Sequence, residues 1–295
     1  MRAPMPSSKS LLWAIGALII AMISVQAGAA FAKTLFPIIG AEGTVVLRLS
    51  LAALMLGLAL RVWRVRIGRS NWHLALIYGV NLGAMNFLYY LAVARIPVGI
   101  AAALEFTGPL AVAIFASRSK LDLLWAALAL AGIALLLPVE GLGSSLDPLG
   151  VIYALGAGLG WALYIFTGRR AGHAFGTPAP AVGMIVAALV TLPLGAVQAV
   201  TVFADIHLLL LALAVAALSS AVPFAFEMVS LRHLPPQAYG TLTSMEPAIG
   251  ALSGLVILRE MLPASQWLAI GLVVLASVGT TLTVRARRGG EEKGT

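Results

Sequence analysis

RIPVGIAAALEFTGPLAVAIFASRSKLD, residues 95–122, carries the pattern on which the fold turns. After the Arg95-Ile96-Pro97 break, Glu105 is the sole charge until Arg118. A run of about 20 such residues crosses roughly 30 Å of hydrocarbon at about 1.5 Å per residue. The pattern returns 138 positions later (235 minus 97) as HLPPQAYGTLTSMEPAIGALSGLVILRE, residues 233–260. His233-Leu234-Pro235 meets Arg95-Ile96-Pro97, Leu242 meets Leu104, Pro247 meets Pro109 and Glu260 meets Asp122. A weaker match near a shift of 135 sets Phe31 against Phe166 and Lys33-Thr34 close to Arg169-Arg170.

Such runs fill the chain. Of 295 residues, 61% are hydrophobic and 10% charged, against about half and a quarter in soluble domains. Gly and Pro punctuation predicts ten membrane helices near 11–32, 41–60, 72–94, 98–117, 123–138, 149–168, 180–200, 208–230, 237–258 and 265–284. The net charge of +8 lies in short clusters between apolar runs, as membrane topology requires, not on one basic face for nucleic acid. With the N-terminus cytoplasmic, one side collects 15 of the 19 cations: Arg2, Lys9, Arg61, Arg64, Arg66, Arg69, Arg118, Lys120, Arg169, Arg170, Arg232, Arg285, Arg287, Arg288 and Lys293. Lys33, Arg95 and Arg259 fall outside, and Arg48 inside a span. That bias sets an even number of helices with both termini cytoplasmic. A second reading of the first span stands beside this one: Lys9, an apolar run and Ala30-Phe31-Ala32 have the outline of a signal peptide. The run is longer than a usual signal core, however, and cleavage would break the repeat.

The shift predicts two homologous halves, 1–140 and 149–295, each with five helices. An odd number of spans per copy makes the second enter the membrane upside down. Transporters that alternate access are built in this way around a site near mid-membrane.

One segment also resembles a known family. Ser219-Ser220-Ala221-Val222-Pro223-Phe224, Glu227-Met228, Leu231-Arg232-His233-Leu234-Pro235, Gly240-Thr241-Leu242, Ser244-Met245-Glu246-Pro247 and Arg259-Glu260 are similar to the EamA-type half of the drug/metabolite transporter superfamily. Within it the threonine/homoserine exporters are most similar, with aromatic amino acid exporters a related branch. Leu47-Arg48 and Pro97 to Pro109 fit the first half more loosely. The resemblance implies a ten-helix exporter of amino acids or related metabolites in the bacterial inner membrane.

A charge inside a membrane helix is costly unless paired, hydrated or neutralised, which makes Arg48, Glu105, Glu227 and Glu246 candidates for function. Helical spacing puts Ser219, Pro223, Glu227 and Ser230 on one face, and Asn81, Met85 and Tyr89 on the repeat-related face, with Tyr78 above them. Tyr239, Thr243 and Glu246 share a stripe, beside Ser244; Glu105 stands opposite Thr243. These faces would line a central cavity walled by Trp161 and Tyr164. Pro109 and Pro247 each remove a backbone donor, freeing the carbonyls of Glu105 and Thr243. With Pro223 they are candidates for helix breaks or gates. Glu246 and Glu227 would attract an ammonium group or carry a coupling proton.

Structural readings compete with these. Arg48 and Glu105 could form an ion pair that only locks helices. Glu260 and Asp122 would cap or bridge loops. Trp13, Trp63, Trp72, Trp125 and Trp267 would be interfacial anchors. The glycine pairs 79 with 83, 156 with 160 and 250 with 254 would serve packing. No Walker sequence or H-E-x-x-H motif occurs, so neither ATP-driven transport nor a metalloprotease is expected. Cys is absent and the four His are scattered; no metal site or cofactor is expected. A channel and, further off, a membrane-embedded enzyme are the alternatives to a carrier. The expected partners are a small-molecule substrate, lipid and protons, with one chain as the working unit.

Overall fold

A computed structural model describes residues 8–65, 67–68, 71–115, 120–136, 146–223, 226, 230 and 242–291. The elements among them are helical: α1 (Ser8–Lys33), α2 (Phe36–Ala59), α3 (Trp72–Val93), α4 (Val98–Phe115), α5 (Lys120–Leu136), α6 (Pro148–Phe175), α7 (Ala179–Val200), α8 (Ile206–Ala216), α9 (Glu246–Leu258) and α10 (Ala264–Glu291). Short 3-10 turns follow α2 and α7, and α8 runs into a wide π-type turn at Ala217–Ala221. Five of these segments are by themselves long and apolar enough to cross a membrane: Leu12–Lys33, Phe36–Ala59, Trp72–Val93, Pro148–Phe175 and Ala179–Ala204. The others are shorter apolar helices.

The helix ends follow from local chemistry. Asp147 caps α6, its carboxylate accepting from the Leu149 N–H at 2.9 Å, and Pro148 fills the first position, where no N–H is needed. Asp205 caps α8 in the same manner through the His207 N–H. In α2 a single helical turn precedes Gly40, whose φ of 70° lies in the left-handed region open to glycine; the long span begins after it. The sequence places the α6 span at 149–168, yet the helix continues to Phe175. Hydropathy marks where Arg169 and Arg170 leave hydrocarbon, whereas the backbone ladder continues until Gly176, with φ of 65°, ends it.

Packing is inside out relative to a soluble protein. Leu54 and Leu58 on α2, Leu159 and Phe166 on α6, Leu189 and Val197 on α7 and Val256 on α9 are exposed, whereas the interior is dominated by alanines such as Ala52, Ala92, Ala101, Ala154 and Ala187. Lipid tails are as apolar as leucine, so helices associate by close fit of small residues. α2 packs along α7, α3 along α6 and α7, α4 against α6 and α9, α5 against α10, and α1 against α9 and the turn after α8. A close approach sets Gly108 of α4 against the Gly158 carbonyl of α6, with no room for a side chain at Gly108. Of the five tryptophans expected as interfacial anchors, Trp13, Trp63 and Trp72 are exposed. Trp125 instead lies against Gly279, and Trp267 packs partly into the core.

Candidate functional site

The polar interior is built from six elements. Gln26 of α1, buried, donates through Nε2 to Glu246 Oε1 at 3.4 Å and accepts from the Tyr89 hydroxyl of α3 at 3.5 Å. Glu105 of α4 lies within electrostatic range of Glu246 and of Arg48 on α2, and so does Tyr89 of all three. Arg48 is 8% exposed. Its Nε donates to Ser219 Oγ at 2.8 Å, its Nη1 to Asn86 Oδ1 at 2.8 Å and its Nη2 to the Ser219 carbonyl at 3.4 Å. The guanidinium carbon stands 5.1 Å from the centre of the Tyr90 ring.

Local sequence explains why this cluster forms. Ser219 sits in the π-type turn, and Pro223, which has no N–H, leaves the carbonyl four residues earlier without its helical partner. That carbonyl is the one Arg48 reaches. A turn at Ser244-Met245 precedes α9, which opens with Glu246 and Pro247. The Glu246 carboxylate thus sits where a helix N-terminus favours negative charge.

The residues expected from sequence divide into two groups. Glu105, Glu246, Tyr89 and Ser219 enter the cluster just described. Tyr78, Asn81, Trp161 and Tyr164 instead tie α6 to its neighbours. Tyr78 stacks on Tyr164 with ring centres 5.5 Å apart, and the hydroxyls are 3.4 Å apart. Asn81 donates to the Gly160 carbonyl at 2.9 Å, and Trp161 meets Phe106 edge-on at 5.6 Å. Ser244 pairs with Ser277 of α10 at 2.6 Å; Thr243 neighbours it at the start of the same turn. Glu227 and Tyr239 lie outside the described residues. Pro109 stands within a continuous α4, and the Glu105 carbonyl it frees faces α6, where a side chain on Gly158 would come within 2.7 Å. Gln26, Asn86 and Tyr90 escaped the sequence reading.

Arg48 and Glu105 do not form a direct ion pair; among the described residues the ion pairs are Lys33–Glu260 at 2.6 Å and Arg95–Asp147 at 2.8 Å. The first carries a second bond, from the Val98 N–H to Glu260 Oε2 at 2.9 Å, so Glu260 also caps α4. The Arg95 guanidinium beside Asp147 holds that carboxyl below the usual range, helped by the Leu149 amide, and Asp147 in turn raises Arg95. A cavity of about 470 Å³ lies apart from the central cluster, between the end of α2 and the α6–α7 connection, lined by Arg61, Arg64 and Phe175.

Comparison with known proteins places the chain among transporters. Residues 148–282 match the model of the EamA-like transporter family. The chain is 48% identical over 268 residues to the threonine/homoserine exporter RhtA of Escherichia coli strain K12, covering 91% of each chain, and equally to RhtA of Salmonella typhimurium strain LT2. The uncharacterized inner membrane transporter YedA of Escherichia coli strain K12 is 28% identical over 195 residues, 64% of this chain and 63% of YedA. A protein of known crystal structure shares the fold, with a TM-score of 0.62 at 19% identity over 95% of this chain and 98% of that one. The chain belongs to the EamA-like transporter family.

Proposed function

We propose that this chain is an inner-membrane exporter of threonine- and homoserine-like amino acids, a monomer that alternates access between two inverted five-helix halves. The observation that carries the proposal is the interior cluster of buried Arg48 with half-buried Glu105 and Glu246, in a chain 48% identical to threonine/homoserine exporters. Carboxylates inside a membrane are sites at which a cation can bind. The substrate's ammonium group and a proton are the two candidates that fit, and their alternation would couple export to proton entry.

Helix packing supports the inverted halves, because most of its larger contacts correspond when α1–α5 exchange with α6–α10. The pairs α2 with α7, α4 with α9 and α5 with α10 map onto themselves, whereas α3 with α6 maps onto α8 with α1, and α4 with α6 onto α9 with α1. In the orientation set by the cations, with ten spans and both termini inside, the Lys33–Glu260 and Arg95–Asp147 pairs lie at the outer face. The first joins the two halves, and the second joins the first half to the connector residue that caps α6. They form a clasp that closes the outer side, and release of substrate there requires it to open.

Purified protein in liposomes tests the reading. Threonine flux should saturate and show counterflow, and Glu246→Gln should reduce it to the level of empty liposomes at unchanged protein content. Unsaturable flux would identify a channel, and wild-type flux in Glu246→Gln would overturn the assigned role of that carboxylate.

A further inference from the structure

We infer that Arg48 is the anchor for the substrate's α-carboxylate, with the Tyr90 hydroxyl as its second donor; the inference rests on the reading of the chain as an amino acid carrier. A guanidinium has five N–H groups and cannot shed its charge. Three of the five in Arg48 are taken, all by neutral acceptors on Ser219 and Asn86. One N–H on each terminal nitrogen is left over. The side chain is buried, yet among the described residues no carboxylate stands within 4.0 Å of it. Neutral contacts hold the cation, with Glu105 in electrostatic range but out of direct contact, and its fork stays open to an anion.

Tyr90 adds an independent observation. It is 2% exposed, its ring lies under the Arg48 guanidinium, and its hydroxyl sits beside the Arg48 and Ser219 side chains without a well-formed hydrogen bond to either. Buried hydroxyls without well-formed partners are rare and costly. A loosely held donor beside a guanidinium that no carboxylate touches describes a receptor for an anion with two or three acceptor sites. A carboxylate matches the planar fork of arginine and has lone pairs to spare for the tyrosine. Glu105 and Glu246 supply the opposite charge in the same cluster. Fixed positive and negative groups therefore sort the two ends of a zwitterion: carboxylate toward α2 and α3, ammonium toward α4 and α9. A free amine or an amino alcohol satisfies only one of them.

The test is discrimination and not flux alone. In proteoliposomes of the full chain, radiolabelled L-threonine counterflow is competed by unlabelled L-threonine and by L-threoninamide, which keeps the ammonium and loses the carboxylate charge. In the wild type, threonine should compete at least about 100-fold better, as expected for a charge-assisted fork. In Arg48→Lys that ratio should fall about tenfold, and in Tyr90→Phe, which removes one oxygen and leaves the ring, about threefold to tenfold. A structural role would lower flux or yield in the variants and leave the ratio unchanged, and an unchanged ratio in Tyr90→Phe together with Arg48→Lys overturns the inference. Should Arg48→Lys fail to fold, the ratio in Tyr90→Phe alone decides. Wild-type protein that moves no amino acid would sink the exporter reading and this inference with it, whereas threonine flux without loss of discrimination in the variants sinks only this inference.

Discussion

α4 and α9 are aligned by the 138-residue shift, but they do not have the same form. α4 runs without interruption from Val98 to Phe115 with Pro109 inside it. α9 begins only at Glu246, after the Ser244-Met245 turn, so Pro247 sits in its first turn. In α4 the carbonyl freed by proline is turned against α6, across the Gly108–Gly158 contact. In α9 the equivalent stretch holds a carboxylate that reaches Gln26. The same proline position lies within helix packing in one half and beside a hydrogen-bonded carboxylate at a helix start in the other. What decides is the neighbour: α6 presents glycine to α4, leaving no room for a polar group, whereas α1 presents glutamine to α9.

Five substitutions would break or sharpen this contrast. The largest effect is expected from Gly108→Ala, because a methyl group there would overlap the Gly158 carbonyl backbone, which has no flexible end to give way. A loss of about 3 kcal/mol or more is expected, read as a fall in monodisperse yield and melting temperature. Gly250→Ala on α9 meets the side-chain oxygen of Gln26 instead and should be tolerated in yield while lowering threonine flux. Of intermediate size is the pair of proline variants. Pro247→Ala permits α9 to wind back through the turn and should cut threonine flux about tenfold with stability changed by less than about 1 kcal/mol. Pro109→Ala gives the Glu105 carbonyl an N–H in a helix that is already continuous and should leave flux near wild type. Equal effects from both would erase the contrast. Glu260→Gln should change stability only slightly, by about 1 kcal/mol, since Lys33 and Glu260 are partly exposed. Its signature is topological. It loosens the α4 cap and the outer clasp together, and the chain has no Cys. Cysteine introduced at Ala102, buried in α4, should therefore become more reactive toward an impermeant maleimide added outside.

The membrane class, the family and the two central carboxylates were legible in the sequence because a charge within an apolar run has few explanations. Arg48 was legible as a charge but not by its partners: hydrogen bonds to Ser219 and Asn86 join α2 to the end of α8 and to α3, and spacing within one helix cannot reveal them. A stripe on α3 was assumed to face one cavity. That helix is enclosed by α2, α6 and α7, so Asn81 serves α6, Asn86 serves α2 and Tyr89 serves Gln26 of α1. The π-type turn at Ala217–Ala221 adds a further limit, since a pattern drawn at 3.6 residues per turn loses register across an inserted residue. Gln26 had a signal available: with Ser24 it is polar within the otherwise apolar run of α1, and both side chains are buried.

The 28 residues of α6 have a physical consequence for how the protein sits in its bilayer. Such a helix is about 42 Å long, roughly 12 Å more than the hydrocarbon is thick. The surplus emerges as tilt or as overhang, and the exposed Arg169 and Arg170 lie in the last two turns of the helix. α6 therefore acts as a keel. Because α3 and α4 are packed along it, a thinner or thicker membrane would pivot those two before any other part, giving lipid composition a mechanical handle on the carrier.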